Sequence, residues 1–281
     1  MNMHNDAKKN RVMKIVNVLL ATVALWSIAV EARYFVCIDS QALFYVDQNK
    51  LKKTVPWSTA ISGVIDAFFH PSLNPIEAAE QRFWKKLEDE WGRQVGPEMM
   101  LVRDQDGKRV LPWLMVEWFK GEVTGEQAIE MIRRRSASFI TEVASVAFNA
   151  KLLADNVNVV SGAMHFLERC AEQSELFMLG NWHLEVFNRV ASNPNVIQAL
   201  SLIPADHRYI SGCMKLVLPC DIAQMLSVIG YNTQQPVDQI IFVTNMAYHA
   251  QVAQSKGIKT VLIINNDFDT AYRMVKSHIN K

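Results

Sequence analysis

The stretch IIFVTNMAYHA, Ile240 to Ala250, reads as a buried strand running into a helix, and Thr244 and Asn245 stand at the junction. The C-terminal end of a strand facing a helix start is where open α/β sheets place their chemistry. Both junction residues are nevertheless uncharged. A second apolar run, RYFVCI, ends on the carboxylate of Asp39, and a third, LFML, is followed by Gly180 and Asn181. His183 and His249 lie a few residues past two of these strand ends. Imidazole suits transition metals, so the pair reads either as a metal site completed by Asp39 or as surface and helix-start histidines. CxxC pairs and His-rich spacing are lacking, which argues against structural zinc.

The elements that hold these residues follow from periodicity. Arg33–Ile38 is a short continuous apolar run, the mark of a fully buried strand. From Pro56 to about Leu153 the pattern turns helical, through WSTAISGVIDAFFH, NPIEAAEQRFWKKLEDEWGRQ, LPWLMVEWFKG, TGEQAIEMIRRR and SASFITEVASVAFNAKLLA. Thr124 and Ser136 suit N-caps, and the spacing from Thr124 to Gln127 fits a capping box. Beyond this block strand and helix alternate, with strands at 176–179, 208–211, in QIIFV and in KTVLII, with a helix in CDIAQMLSVIG up to Gly230, and with Gly257 as a helix C-cap. Alternation of this kind predicts a parallel sheet covered on both faces. The lone first strand must join that sheet. The fold class expected is therefore α/β, a Rossmann-like parallel sheet from 33–55 and 151–281 with an all-helical cap inserted at 56–150.

Composition narrows the partners. Across 281 residues, 29 basic side chains face 28 acidic ones, for a net charge of +1. Nucleic-acid binders carry a strongly basic face, so that class is excluded. Lys8, Lys9, Arg11 and Lys14 precede the apolar run Ile15–Val30, and small residues Val30 and Ala32 follow just before Arg33. This is the three-part pattern of a signal peptide over 1–32, with an uncleaved anchor as the alternative. The expected location is periplasmic or extracellular, with membrane contact only through that segment. Cys37, Cys170, Cys213 and Cys220 form no close-spaced framework, and Cys213 and Cys220 are the pair nearest in sequence.

Taken in order, Asp39, the helical insertion, LGN at 179–181, SG at 211–212 before Leu218 and Pro219, and FVTN followed by AQSKGIKTV resemble the haloacid dehalogenase-like (HAD) hydrolase superfamily from Arg33 onward. The resemblance implies a phosphate and magnesium site assembled from four strand-end loops. It makes Asp39 the nucleophile and puts the usual second Asp at Gln41. It puts the phosphate-binding hydroxyl at Gly180 and Asn181, the lysine at Leu218, and the magnesium carboxylates at Thr244 and Asn245. Asp39, Thr244 and Asn245 are then the metal positions, and only Asp39 carries charge. Magnesium is typically held by one or two carboxylates plus substrate phosphate, so no cofactor is expected, magnesium entering only with residual activity.

Asp39 is then either a retained nucleophile or a relic capping backbone N–H groups. Lys215 reads as a substitute cation or a solvated lysine, Ser211 as a hydroxyl donor or a turn residue. Leu111–Phe119 lines a ligand cleft or fills the cap's own core. The expected function is an inactive pseudophosphatase, exported, that binds a protein or small molecule in its cap cleft. The alternatives are a hydrolase using Asp39 on a non-standard substrate with little metal dependence, and a structural role at the membrane.

Overall fold

Side chains alternate along Phe35–Asp39 between two apolar layers, Phe35 and Cys37 entering one cluster, Val36 and Ile38 the other. Successive strand residues point to opposite faces, so a strand apolar on both needs cover above and below. The computed structural model, which describes residues 34–47, 50, 101–103, 109–134 and 138–280, provides that cover. The signal or anchor segment, the expected helices between 57 and 94, and the Ser136 cap lie outside the described residues.

In chain order, strand β1 (Phe35–Asp39) leads through the one-turn helix α1 (Ser40–Leu43) into β2 (Phe44–Val46). The inserted block holds β3 (Leu101–Arg103), β4 (Arg109–Pro112), α2 (Trp113–Lys120), α3 (Gly125–Arg133) and α4 (Ser138–Ala147). The chain returns by α5 (Ala150–Asp155) and β5 (Val157–Val159), then α6 (Ala163–Ala171), β6 (Glu175–Gly180), α7 (Leu184–Val190) and α8 (Pro194–Ser201). It closes with β7 (Arg208–Ile210), α9 (Ser211–Met214), α10 (Ile222–Thr233), β8 (Ile240–Thr244), α11 (Ala247–Ser255), β9 (Lys259–Leu262) and α12 (Phe268–Ile279).

The main sheet has five strands in the order β7-β6-β1-β8-β9, and every pairing in it is parallel. This is the α/β sheet that the alternation of elements predicts. Strand β1 sits at its centre, with β6 on one side and β8 on the other. Asp39 pairs with Leu179, and Ile38 with Val243. The ends of β1, β6 and β8 therefore meet, which brings Asp39, Gly180 and Thr244 to one edge of the sheet.

The inserted block departs from an all-helical reading. Its described part includes β3 and β4, an antiparallel pair. The helix expected from Leu111 begins instead at Trp113, because Leu111 and Pro112 complete β4. Proline lacks the N–H and pushes the residue before it toward extended backbone, so a helix starts after this pair. A second antiparallel pair joins β2 to β5, two three-residue strands too short to show a period. Within the block, Thr124 Oγ1 accepts from the Gln127 N–H at 3.1 Å and Gln127 Oε1 from the Thr124 N–H at 2.8 Å, the reciprocal capping box.

Two glycines mark helix geometry differently. Gly257 has φ +77° just past the end of α11, the left-handed position that favours glycine. Gly230 was expected to end its helix, yet α10 runs on to Thr233. A Cβ at Gly230 would lie 2.8 Å from the Gln235 carbonyl oxygen, so this glycine answers a close packing contact instead of a stop.

Candidate functional site

Asp39 closes β1 and caps α1, and its carboxylate is 0% exposed. One oxygen, Oδ1, accepts from the Gln41 N–H at 3.1 Å. The other, Oδ2, accepts from the Thr244 hydroxyl at 2.8 Å and meets His249 Nδ1 at 2.7 Å. Thr244 is held in turn by the Met246 N–H, which donates to its Oγ1 at 3.0 Å. His249, on the first turn of α11, is 5% exposed. It is thus a helix-start histidine and not a surface one, and its Nδ1 is committed to the carboxylate. With Nδ1 facing a carboxylate oxygen, that nitrogen carries the proton.

Asn245 turns toward the same turn. Its Nδ2 donates to the Gln41 carbonyl oxygen at 3.1 Å, which orients its own Oδ1 away from that bond. Asn245 Oδ1 and Gln41 Oε1 are buried and find no hydrogen-bond partner among the described residues.

The strand-end positions on the other side are filled by packing. At Gly180 a Cβ would sit 2.2 Å from Ser40 Oγ and 2.6 Å from Trp182 Cδ1. The space a serine or threonine hydroxyl would need is therefore occupied, by a contact in which Trp182 Nε1 donates to Ser40 Oγ at 2.8 Å. Asn181 spends its carboxamide internally: Oδ1 accepts from the Leu218 N–H at 2.8 Å and the Ser211 hydroxyl at 3.0 Å, and Nδ2 donates to the Leu218 carbonyl at 2.9 Å. Ser211 thus belongs to this brace at the start of α9. Leu218 is 1% exposed, packed in the apolar cluster with Phe35, Cys37 and Phe177.

Lys215 spends its ammonium on the inserted block. Its ammonium donates to the Lys120 carbonyl and lies 3.3 Å from the Glu122 carboxylate, so it ties the loop before Leu218 to the end of α2. Neither expectation for it, substitute cation or merely solvated side chain, describes this tether. His183 also reaches the block. Its Nδ1 accepts from the Glu185 N–H at 3.2 Å as the cap of α7, and its ring stacks on Trp118, centroids 5.4 Å apart and planes 5° from parallel. Burial pushes the His183 pKa below its usual value, Glu185 opposing and the Lys215 charge adding to the fall. Cys37, buried beside Asp39, is pushed well up, first by desolvation and then by the neighbouring carboxylate, which leaves it an inert thiol. No disulfide is formed, Cys213 being exposed and Cys220 half-buried.

A cavity of about 40 Å³ is bounded by Ser40, Gln41, Tyr45, Trp118, Trp182 and His183, among others. Within the stretch 111–119, Leu114, Met115, Trp118 and Phe119 all belong to the core, and Trp118 and Phe119 line the cavity as well. The sequence reading missed Ser40, Tyr45 and Trp182. Trp182 follows directly on the strand-end pair Gly180 and Asn181, a position that was itself a signal.

Magnesium, which the resemblance implies, does not fit this donor set. A hard divalent ion needs carboxylate oxygens facing outward, and both oxygens of the single carboxylate are enclosed and bonded within the chain. The remaining acceptors, Gln41 Oε1 and Asn245 Oδ1, are neutral amides. Among the described residues, no three His, Cys, Asp or Glu side chains converge to hold a metal ion.

A scan against protein-family models finds no match, and a search of curated proteins finds none either. Solved structures do show likenesses. The chain is similar to a HAD-family enzyme of Bacteroides thetaiotaomicron in its magnesium complex, at 14% identity and TM-score 0.49 over 86% of this chain and 100% of that one. It is similar to a HAD-like hydrolase of Xanthomonas campestris, at 11% identity and TM-score 0.49 over 90% and 94%. A predicted HAD-like hydrolase of Porphyromonas gingivalis gives 13% identity and TM-score 0.48 over 87% and 98%. At such identities and scores the likeness is one of chain course, and no residue role passes from those proteins to this one.

Proposed function

We propose that this chain is a HAD-like protein without phosphatase activity, which acts as an exported binding module through the cleft between its α/β sheet and the inserted block. The observation behind this reading is the state of Asp39: it is fully enclosed, with both oxygens accepting hydrogen bonds from Gln41, Thr244 and His249. A nucleophilic carboxylate needs an oxygen facing the substrate. A phosphoryl group also needs cationic or hydroxyl partners, and the positions in question hold Gly180, Asn181 and Leu218. Removal of a single such electrostatic group costs about 100- to 1,000-fold in rate.

The test is turnover of p-nitrophenyl phosphate with added magnesium by the chain and by Asp39→Ala. The expected result is no turnover that distinguishes the two. Turnover abolished in Asp39→Ala would replace this reading with that of an atypical hydrolase using Asp39. Export rests on the pattern of residues 1–32. A mature N-terminus near Arg33 in an extracytoplasmic fraction supports it, and an intact Met1 in a membrane fraction supports the anchor.

A further inference from the structure

His183 sits where the α/β core meets the inserted block, and its ring serves both. Toward the core, Nδ1 accepts from the Glu185 N–H at 3.2 Å and so caps α7. Toward the block, the half-buried ring stacks on Trp118 of α2, centroids 5.4 Å apart and planes 5° from parallel. Trp118 is 1% exposed and packs against Phe119 and edge-on against Phe148. It therefore carries the contact with His183 into the interior of the inserted block.

The cap bond requires the neutral ring. A ring nitrogen that accepts a hydrogen bond carries no proton, which leaves the His183 proton on Nε2. In the imidazolium both nitrogens are donors, so Nδ1–H would confront the Glu185 N–H and the cap bond would be lost. The surroundings also resist the proton: burial is the main cause, Glu185 opposes it, and the Lys215 charge adds to it. Among the described residues these are the two charges that bear on the ring. Arg189 meets the Glu185 carboxylate at 3.1 Å, and Lys215 pairs with Glu122 just past α2. Of the neighbouring elements, α2 carries Glu117 and Lys120, β2 brings Tyr45, α9 the exposed Cys213, and α5 the exposed pair Lys151 and Asp155.

A group that binds its proton less readily in one arrangement than in another drives the chain toward the other as pH falls. Acid therefore favours an arrangement in which the His183 ring has left its cap and its stack for water. We propose that His183 is a pH-sensitive latch, which when neutral joins the start of α7 to Trp118 of the inserted block and when protonated releases both, loosening α2 in mildly acidic solution. The latch holds above the ordinary histidine value of about 6.5 and is lost as pH falls through the lower value of the folded chain. It acts whatever the chain binds.

Amide hydrogen exchange of the full chain at pH 7.5 and pH 5, corrected for the intrinsic pH dependence of exchange, tests this. At the lower pH the Glu185 amide and the amides of α2 are expected to lose roughly three- to tenfold in protection relative to those of β1. His183→Asn keeps a capping side chain and does not titrate, and is expected to show no such relative loss. In the parent the loss is expected to follow the NMR titration of the His183 ring itself, a reading that needs no variant. Unchanged protection of α2, an equal loss at β1, the same relative loss in His183→Asn, or a midpoint apart from that of the ring would overturn the proposal. So would greater protection of α2 at pH 5, the result of a cation held on the indole face.

Discussion

Asp39 and Gln41 are two residues apart on one turn, yet they are treated in opposite ways. At Asp39 every acceptor is met from within: a backbone N–H, a hydroxyl and an imidazole converge on one carboxylate. At Gln41 the side-chain oxygen is buried and finds no hydrogen-bond partner among the described residues. A buried polar group that is satisfied internally stabilises the fold, and one left unsatisfied costs it. The Asp39 carboxylate is therefore closed by its own chain, while the amide two residues on carries a cost.

Restoring the charges at the closed side should fail through packing. Leu218→Lys places an ammonium in an apolar cluster where the leucine is 1% exposed, and should cost about 4 kcal/mol or more, read as a collapse of the urea midpoint. If Leu218→Lys proves as stable as the parent, the loop is an open site and the comparison breaks. Gly180→Ser should cost about 1–3 kcal/mol from overpacking against Ser40 and Trp182, measured in the same way. Little or no loss would mean that the space beside Gly180 is free.

The smallest effect concerns His183. The folded His183 pKa is depressed, chiefly by burial. Below the unfolded value of about 6.5 the unfolded chain therefore binds the proton more readily than the folded one. The stabilisation linked to neutral His183 is present above that pH and is lost as pH falls through the folded pKa. Between pH 7.5 and 5.5 the denaturation midpoint should fall less steeply in His183→Gln than in the parent. Identical slopes would place the ring in ordinary solvent.

The sheet was legible because period and burial agree: the runs ending at Asp39 and Thr244 are apolar at every position before their last residue, which only a two-sided parallel sheet can bury. The Thr124 box and the Gly257 stop were legible because each is local chemistry. The pairs β2 with β5 and β3 with β4 were not, since three- and four-residue strands leave no period and depend on a distant partner. Gly230 misled because glycine serves close packing as well as helix ends. At the site, the residue types at the strand tips were visible, but not their mutual use. His249 reaches Asp39 across 210 residues, and Trp182 reaches Ser40 across 142, contacts that only the folded chain reveals.

The central claim is that Asp39 holds the strand ends together instead of reacting. Chemical denaturation of Asp39→Ala against the parent tests it most directly, because the substitution strands the Thr244 hydroxyl and the His249 ring without their shared acceptor. A loss of about 3 kcal/mol or more is expected. Unchanged or increased stability in Asp39→Ala, the behaviour of a carboxylate kept for reaction at a cost to the fold, would contradict it.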